Sequence, residues 1–148
     1  MRALKTLNIV NILKKLLDKK LEIFDTQISG LILLKYKKYI DDRGFFYELY
    51  NKKILKNYLN KNFVQDNLSF SKKNVIRGLH YQKANPQAKL IWVIEGEILD
   101  VVVDLRKNSD TFGFFETFNL SSVNQKQLYI PEYFAHGFLA LSDYVILN

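Results

Sequence analysis

The sequence predicts an all-β domain, a sandwich or barrel, behind a short N-terminal helix. Three observations carry this expectation. From residue 30 onward, short apolar runs are separated by turn signals such as Asp41-Asp42-Arg43-Gly44, Asn85-Pro86, Glu95-Gly96 and Asn108-Ser109-Asp110. The run Glu97–Leu105 alternates residue by residue, as a pleated strand with two distinct faces does. Residues 4–21 instead place Leu4, Leu7, Ile9, Val10, Leu13, Leu16, Leu17 and Leu21 at spacings of roughly three and four, the helical period.

In chain order, the helix carries Lys5, Asn11, Lys15, Asp18 and Lys19 opposite its leucines. Such an amphipathic face suits docking on the chain's own domain or on a partner subunit better than lying on a membrane. Residues 1–20 then form an extension and residues 21–148 one domain, with no repeat, low-complexity tract or linker inside it. The expected strands are Leu31–Tyr36, Phe45–Tyr50, Phe63–Phe70, Val75–Gln82, Lys89–Ile94, Glu97–Leu105, Phe112–Phe118, Gln127–Ile130 and His136–Leu141. Asn51–Asn60 is the one helical interruption. In Glu97–Leu105, Leu99, Val101, Val103 and Leu105 share one face, and Ile98, Asp100, Val102 and Asp104 share the other. A face bearing carboxylates fits a barrel with a polar interior, and it fits equally a sheet with one wet side.

Composition narrows the class. A chain of 148 residues with 48% hydrophobic and 25% charged residues fits one globular domain rather than a disordered segment. The absence of cysteine excludes a disulfide framework and a thiolate metal site, and points to a reducing cytoplasm. The net charge of +7 suits an anionic partner, whether nucleic acid, an acidic membrane surface or a nucleotide diphosphate. Lys14-Lys15 interrupt the first apolar run, so neither a secretory signal nor the ~20-residue span of a membrane helix is expected. No Gly-rich phosphate loop opens a helix, and no serine sits in a Gly-x-Ser-x-Gly elbow.

Two histidines are present, His80 in Ile76-Arg77-Gly78-Leu79-His80-Tyr81-Gln82 and His136 in Pro131-Glu132-Tyr133-Phe134-Ala135-His136-Gly137-Phe138. They lie far apart with no His-x-His pair, which disfavours a metal site. Arg77 shares an apolar strand with His80, where an unpaired guanidinium is costly to bury, so it calls for an internal carboxylate or a ligand phosphate. Strict alternation turns Arg77 and His80 to opposite faces, unless a bulge at Gly78 brings them together. Gln65 and Asn67 share a face at period two, suited to the polar edges of a nucleotide or sugar, or else to solvent. Lys89 opens its strand as a phosphate contact or an exposed end charge.

Taken in order, several motifs resemble the dTDP-4-dehydrorhamnose 3,5-epimerase family. They are Asp42-Arg43-Gly44-Phe45-Phe46-Tyr47-Glu48, Gln65-Asp66-Asn67-Leu68-Ser69-Phe70-Ser71, Arg77-Gly78-Leu79-His80-Tyr81-Gln82, Gln87-Ala88-Lys89-Leu90, Asp100 through Arg106, and Pro131 through Phe138. The resemblance implies a cupin-type jelly roll that dimerises and epimerises C3 and C5 of dTDP-4-dehydro-6-deoxy-glucose without a cofactor. That step belongs to dTDP-rhamnose synthesis for cell-surface polysaccharide such as lipopolysaccharide. It implies that His80 is the general base and that Lys89 stabilises the enolate oxygen. Arg43, Glu48, Gln65, Asn67, Arg77 and His136 then bind the nucleotide diphosphate and sugar. No metal, nucleic acid or stable membrane insertion is implied. The family's acid tyrosine is expected one position beyond Asn148, followed by a carboxylate and closing strands, and residues 1–20 precede its usual start. The alternative is thus a truncated inactive remnant, or a non-catalytic module that binds sugar nucleotides.

Overall fold

The computed structural model describes residues 20–59 and 61–148. Within them lie β1 (Leu21–Phe24), β2 (Ile32–Tyr36), β3 (Tyr39–Asp41), β4 (Gly44–Phe46), α1 (Lys52–Leu55), β5 (Ser69–Lys72) and β6 (Ile76–His80). The second half adds β7 (Lys89–Glu95), β8 (Glu97–Asp104), β9 (Phe115–Ser121), β10 (Lys126–Ile130), β11 (Phe134–Ala140) and β12 (Tyr144–Leu147). One sheet has the strand order β1-β2-β10-β7-β12-β5, a second has β6-β11-β8-β9, and β3-β4 form a separate hairpin. The pairings are antiparallel. Consecutive strands β7 and β8 lie in different sheets, so the Glu95-Gly96 turn carries the chain across the sandwich.

The pleat explains the layering. Leu33, Ile91, Val93 and Leu128 of the larger sheet meet Ile98, Val102, Phe118, Phe134 and Phe138 of the smaller one in the central core. Each side chain sealed there contributes about 1.5–3 kcal/mol of transfer free energy. Leu34, Tyr36 and Tyr129 point the other way, where Leu55 and Leu59 from the α1 region cover them. In β8, Ile98, Asp100, Val102 and Asp104 are the buried face, and each is 0% exposed. That settles the alternative left by the alternation: the carboxylates face the inside of the sandwich.

Several boundaries differ from expectation. The helix expected over 4–21 lies outside the described residues up to residue 19, and Leu21 is strand, paired with Tyr36. The strand expected over Phe63–Phe70 begins only at Ser69, because residues 63–68 run without ladder partners. Phe45–Tyr50 shortens to β4, whose hairpin turns at Asp42-Arg43 with Asp41 opposite Gly44. The helix over 51–60 shrinks to α1. Asn51 Oδ1 accepts from the amides of Lys53 and Ile54 to start it, and the amides of Asn57 and Tyr58 bond three residues back, which tightens the chain out of it. Strands β1, β3 and β12 were not expected.

Candidate active site

The edge strand β6 presents the central feature. His80 lies opposite His136 on β11, and Arg77 lies opposite Phe138. Three residues of β6 therefore span two of β11, and the extra residue is the bulge anticipated at Gly78. Because His136 and Phe138 share a face, the bulge turns Arg77 and His80 to that same face. Gly78 has φ +96°, and a Cβ there would stand 2.5 Å from the His136 carbonyl oxygen and 2.7 Å from Gly137 Cα. Only glycine fits that approach.

His136 is buried, and its Nε2 lies 2.6 Å from Oδ2 of Asp100, whose other oxygen is sealed without a partner. Burial pushes the Asp100 carboxyl above the usual carboxylate range, and the neighbouring imidazole pulls it only partly back. Asp100 was visible in the sequence as a carboxylate on the polar face of its strand, but was not singled out for the site. The signal that could have found it is that a buried carboxylate needs a cation or donor, and histidines were the candidates.

Arg77 departs from expectation. Its strand is exposed at the sheet edge, so the cost of burial does not arise. Its Nε donates to Ser71 Oγ at 2.8 Å and Nη2 to the Phe70 carbonyl at 2.9 Å, which aims the guanidinium while leaving its charge without a carboxylate among the described residues. Lys89, at the start of β7, is half-buried, and burial lowers its pKa. Gln65, Asn67 and Lys89 line one cavity of about 400 Å³, together with Lys61 and Glu132, which form an ion pair at its rim. Gln65 Nε2 donates to Asn67 Oδ1 at 3.0 Å, so these amides do sit together, although on an irregular segment rather than a strand.

Arg77, His80 and His136 on β6 and β11 do not line that cavity, and neither do Arg43 and Glu48. Arg43 is 89% exposed on the β3–β4 hairpin and pairs with Asp41 at 2.6 Å. Glu48 accepts from the Asn51 side chain at 2.9 Å and so supports the start of α1. Tyr144 stacks on Phe70, ring centroids 6.0 Å apart, and is exposed on β12. Among the described residues, no three His, Cys, Asp or Glu side chains gather as a metal site. No described helix is long and apolar enough to cross a membrane.

The family model for dTDP-4-dehydrorhamnose 3,5-epimerase matches residues 25–148. The chain belongs to this family. It is 52% identical over 124 residues to the dTDP-4-dehydrorhamnose 3,5-epimerase of Methanothermobacter thermautotrophicus, covering 83% of this chain and 67% of that one. It is 49% identical over 125 residues to the Salmonella typhimurium enzyme, covering 82% and 68%. The Bacillus anthracis family member, solved with TDP and PPi bound, superposes with a TM-score of 0.83 at 45% identity over 86% of this chain and 74% of that one. The Legionella pneumophila epimerase, solved in complex with dTDP-4-keto-L-rhamnose, gives 0.83 at 46% identity over 86% and 69%. The cupin-type all-β architecture is therefore that of the epimerase family.

Proposed function

We propose that this chain epimerises a dTDP-4-keto-6-deoxy sugar, dTDP-4-dehydro-6-deoxy-glucose, at C3 and C5, as a homodimer in the cytoplasm, with residues 21–148 as the epimerase domain and 1–20 as an extension. The observation that carries the reading is the bulged β6, which turns His80 and Arg77 to one face beside the buried His136–Asp100 pair. A proton next to a ketone is acidic enough for a neutral imidazole to take, provided the developing oxyanion meets a donor. His80 is the base. Lys89 donates to the enolate oxygen; its partial burial weakens its hold on the proton and so strengthens it as a donor.

Arg77 takes the diphosphate, because its charge is aimed by Ser71 and Phe70 rather than spent on a carboxylate. Gln65 and Asn67 read polar edges of the nucleotide or sugar. Arg43 and Glu48 serve the nucleotide from the hairpin side. A homodimer is supported by that hairpin, where Ile40, Phe45 and Phe46 are 76%, 60% and 66% exposed, an apolar surface that a second subunit would cover. The cytoplasm is where a nucleotide-sugar pool and a cysteine-free chain belong together.

Incubation of dTDP-4-dehydro-6-deoxy-glucose with the protein in heavy water tests the reading. Deuterium should enter C3 and C5, followed by proton NMR, and His80→Ala should abolish the incorporation. Absence of incorporation with the folded wild-type protein, or incorporation that survives His80→Ala, would overturn it.

A further inference from the structure

A second cavity, of about 930 Å³, shares no lining residue with the one that holds Gln65, Asn67 and Lys89. Tyr81 and Lys83, just past the end of β6, line it with Tyr133 and the loop from Leu105 to Thr111. Arg77, His80 and His136 do not reach it. Tyr133 stands there against its backbone preference. Its φ is +68°, in the left-handed region where a bulky residue is an outlier and glycine is unstrained. The turn accounts for the backbone, since the Tyr133 carbonyl accepts from the Leu105 amide at 3.1 Å. It does not account for the ring, because a carbonyl at that point needs no side chain. The ring is 47% exposed and stacks on no other aromatic ring among the described residues. Strain kept for an exposed ring beside a cavity points to a ligand rather than to the fold.

The charges of the lining point the same way. Arg106 is paired with the buried Asp104, which also takes the Ser109 and Thr111 hydroxyls. Lys83 and Lys107 have no carboxylate partner among the described residues, and Asp110 offsets only one of them. We infer that this cavity binds a small aromatic phosphate, with its ring on Tyr133 and Tyr81 and its phosphate on Lys83 and Lys107. Tyrosine faces accept a planar ring by stacking, and ammonium groups hold a phosphate as point charges. The volume is that of a small-molecule site.

Phenyl phosphate is the probe, because it has the ring and the charge but neither the sugar nor the base of a sugar nucleotide. Calorimetry on the full chain should show about one phenyl phosphate bound with a Kd on the order of 1 mM, and inorganic phosphate about tenfold weaker. Tyr133→Gly and Lys83→Ala should each weaken phenyl phosphate about three- to tenfold, while Arg77→Ala leaves it within about twofold. Tyr133→Gly should melt no lower than wild type, because glycine relieves the left-handed backbone and a half-exposed ring adds little to the core. Equal affinity for the two probes would remove the aromatic platform. Binding lost in Arg77→Ala but intact in Tyr133→Gly would move the ligand to β6, and clearly lower melting of Tyr133→Gly would make Tyr133 a fold residue. Each of these, or no binding of phenyl phosphate at all, overturns the inference. None of these measurements uses a sugar nucleotide, so they decide the matter whether or not the chain epimerises one.

Discussion

Asp100 and Asp104 sit on the same face of the same strand, and both are 0% exposed, yet their surroundings are opposite. Asp104 takes the Arg106 backbone amide at 2.9 Å, Arg106 Nε at 2.9 Å and Nη2 at 2.7 Å, Ser109 Oγ at 2.6 Å and Thr111 Oγ1 at 2.7 Å. Burial acts to raise its carboxyl, but these donors outweigh burial and hold it well below the usual carboxylate range. Asp100 has one imidazole and an orphan oxygen, and burial prevails. The first carboxylate closes the loop from Leu105 to Phe114, and the second meets the His136 ring on the neighbouring strand. One buried carboxylate is thus surrounded by donors from its own loop, and the other is left short of them.

The largest effect expected from the functional side is in turnover. His80→Ala should lower the rate of proton exchange at the sugar by about 10²–10⁴-fold, the worth of a general base, while thermal melting stays close to wild type because His80 is exposed. A large loss of melting temperature in this variant would mean that the bulged edge is held together by His80 itself.

On the structural side, Asp104→Asn should destabilise the domain by about 3 kcal/mol, since it strands the Arg106 guanidinium and two hydroxyls. The pH dependence follows from the direction of the shift. A depressed carboxyl contributes stability at every pH above its unfolded value, and loses it as pH falls through its own folded value. The gap between wild type and Asp104→Asn should thus persist from neutral pH down to the ordinary carboxylate range and close only in stronger acid. Melting curves across that range measure it.

The contrast between the two carboxylates was only half legible in the sequence. Alternation in Glu97–Leu105 put Asp100 and Asp104 together, and the packing of Ile98 and Val102 turned that face inward. The donors that separate the two roles were not readable in the same way, because His136 reaches Asp100 from 36 positions away while the Asp104 ligands are close neighbours in the loop. The Gly78 bulge could be anticipated because glycine inside a strand pattern has few other uses. Residues 63–68 misled, since alternating Phe63, Gln65 and Asn67 mimic a strand that has no neighbour to pair with. Short strands such as β3 escaped notice because their pairing is set by the two-residue turn more than by their own composition.

Arg77→Ala should weaken dTDP binding about 10–100-fold, the value of one charge-assisted contact, with unchanged melting. Arg77 donates to Ser71 and Phe70 from an exposed edge, so the fold asks little of it. Calorimetry showing full-strength dTDP binding by this variant would move the phosphate site elsewhere.

The smallest expected effect is the most direct test of the difference between the two carboxylates. Asp100→Asn keeps the volume and an acceptor for His136 Nε2 while removing a charge that burial disfavours. Raised carboxyls work with the opposite sign: their stability is present below the unfolded value and is lost as pH rises through the folded one. At neutral pH, Asp100→Asn should therefore melt no lower than wild type, and any advantage should fade as pH falls toward the ordinary carboxylate range. Side-by-side melting of Asp100→Asn and Asp104→Asn at pH 7 decides it. The account predicts a drop for Asp104→Asn alone; equal drops in both variants would mean that Asp100, too, is a structural carboxylate.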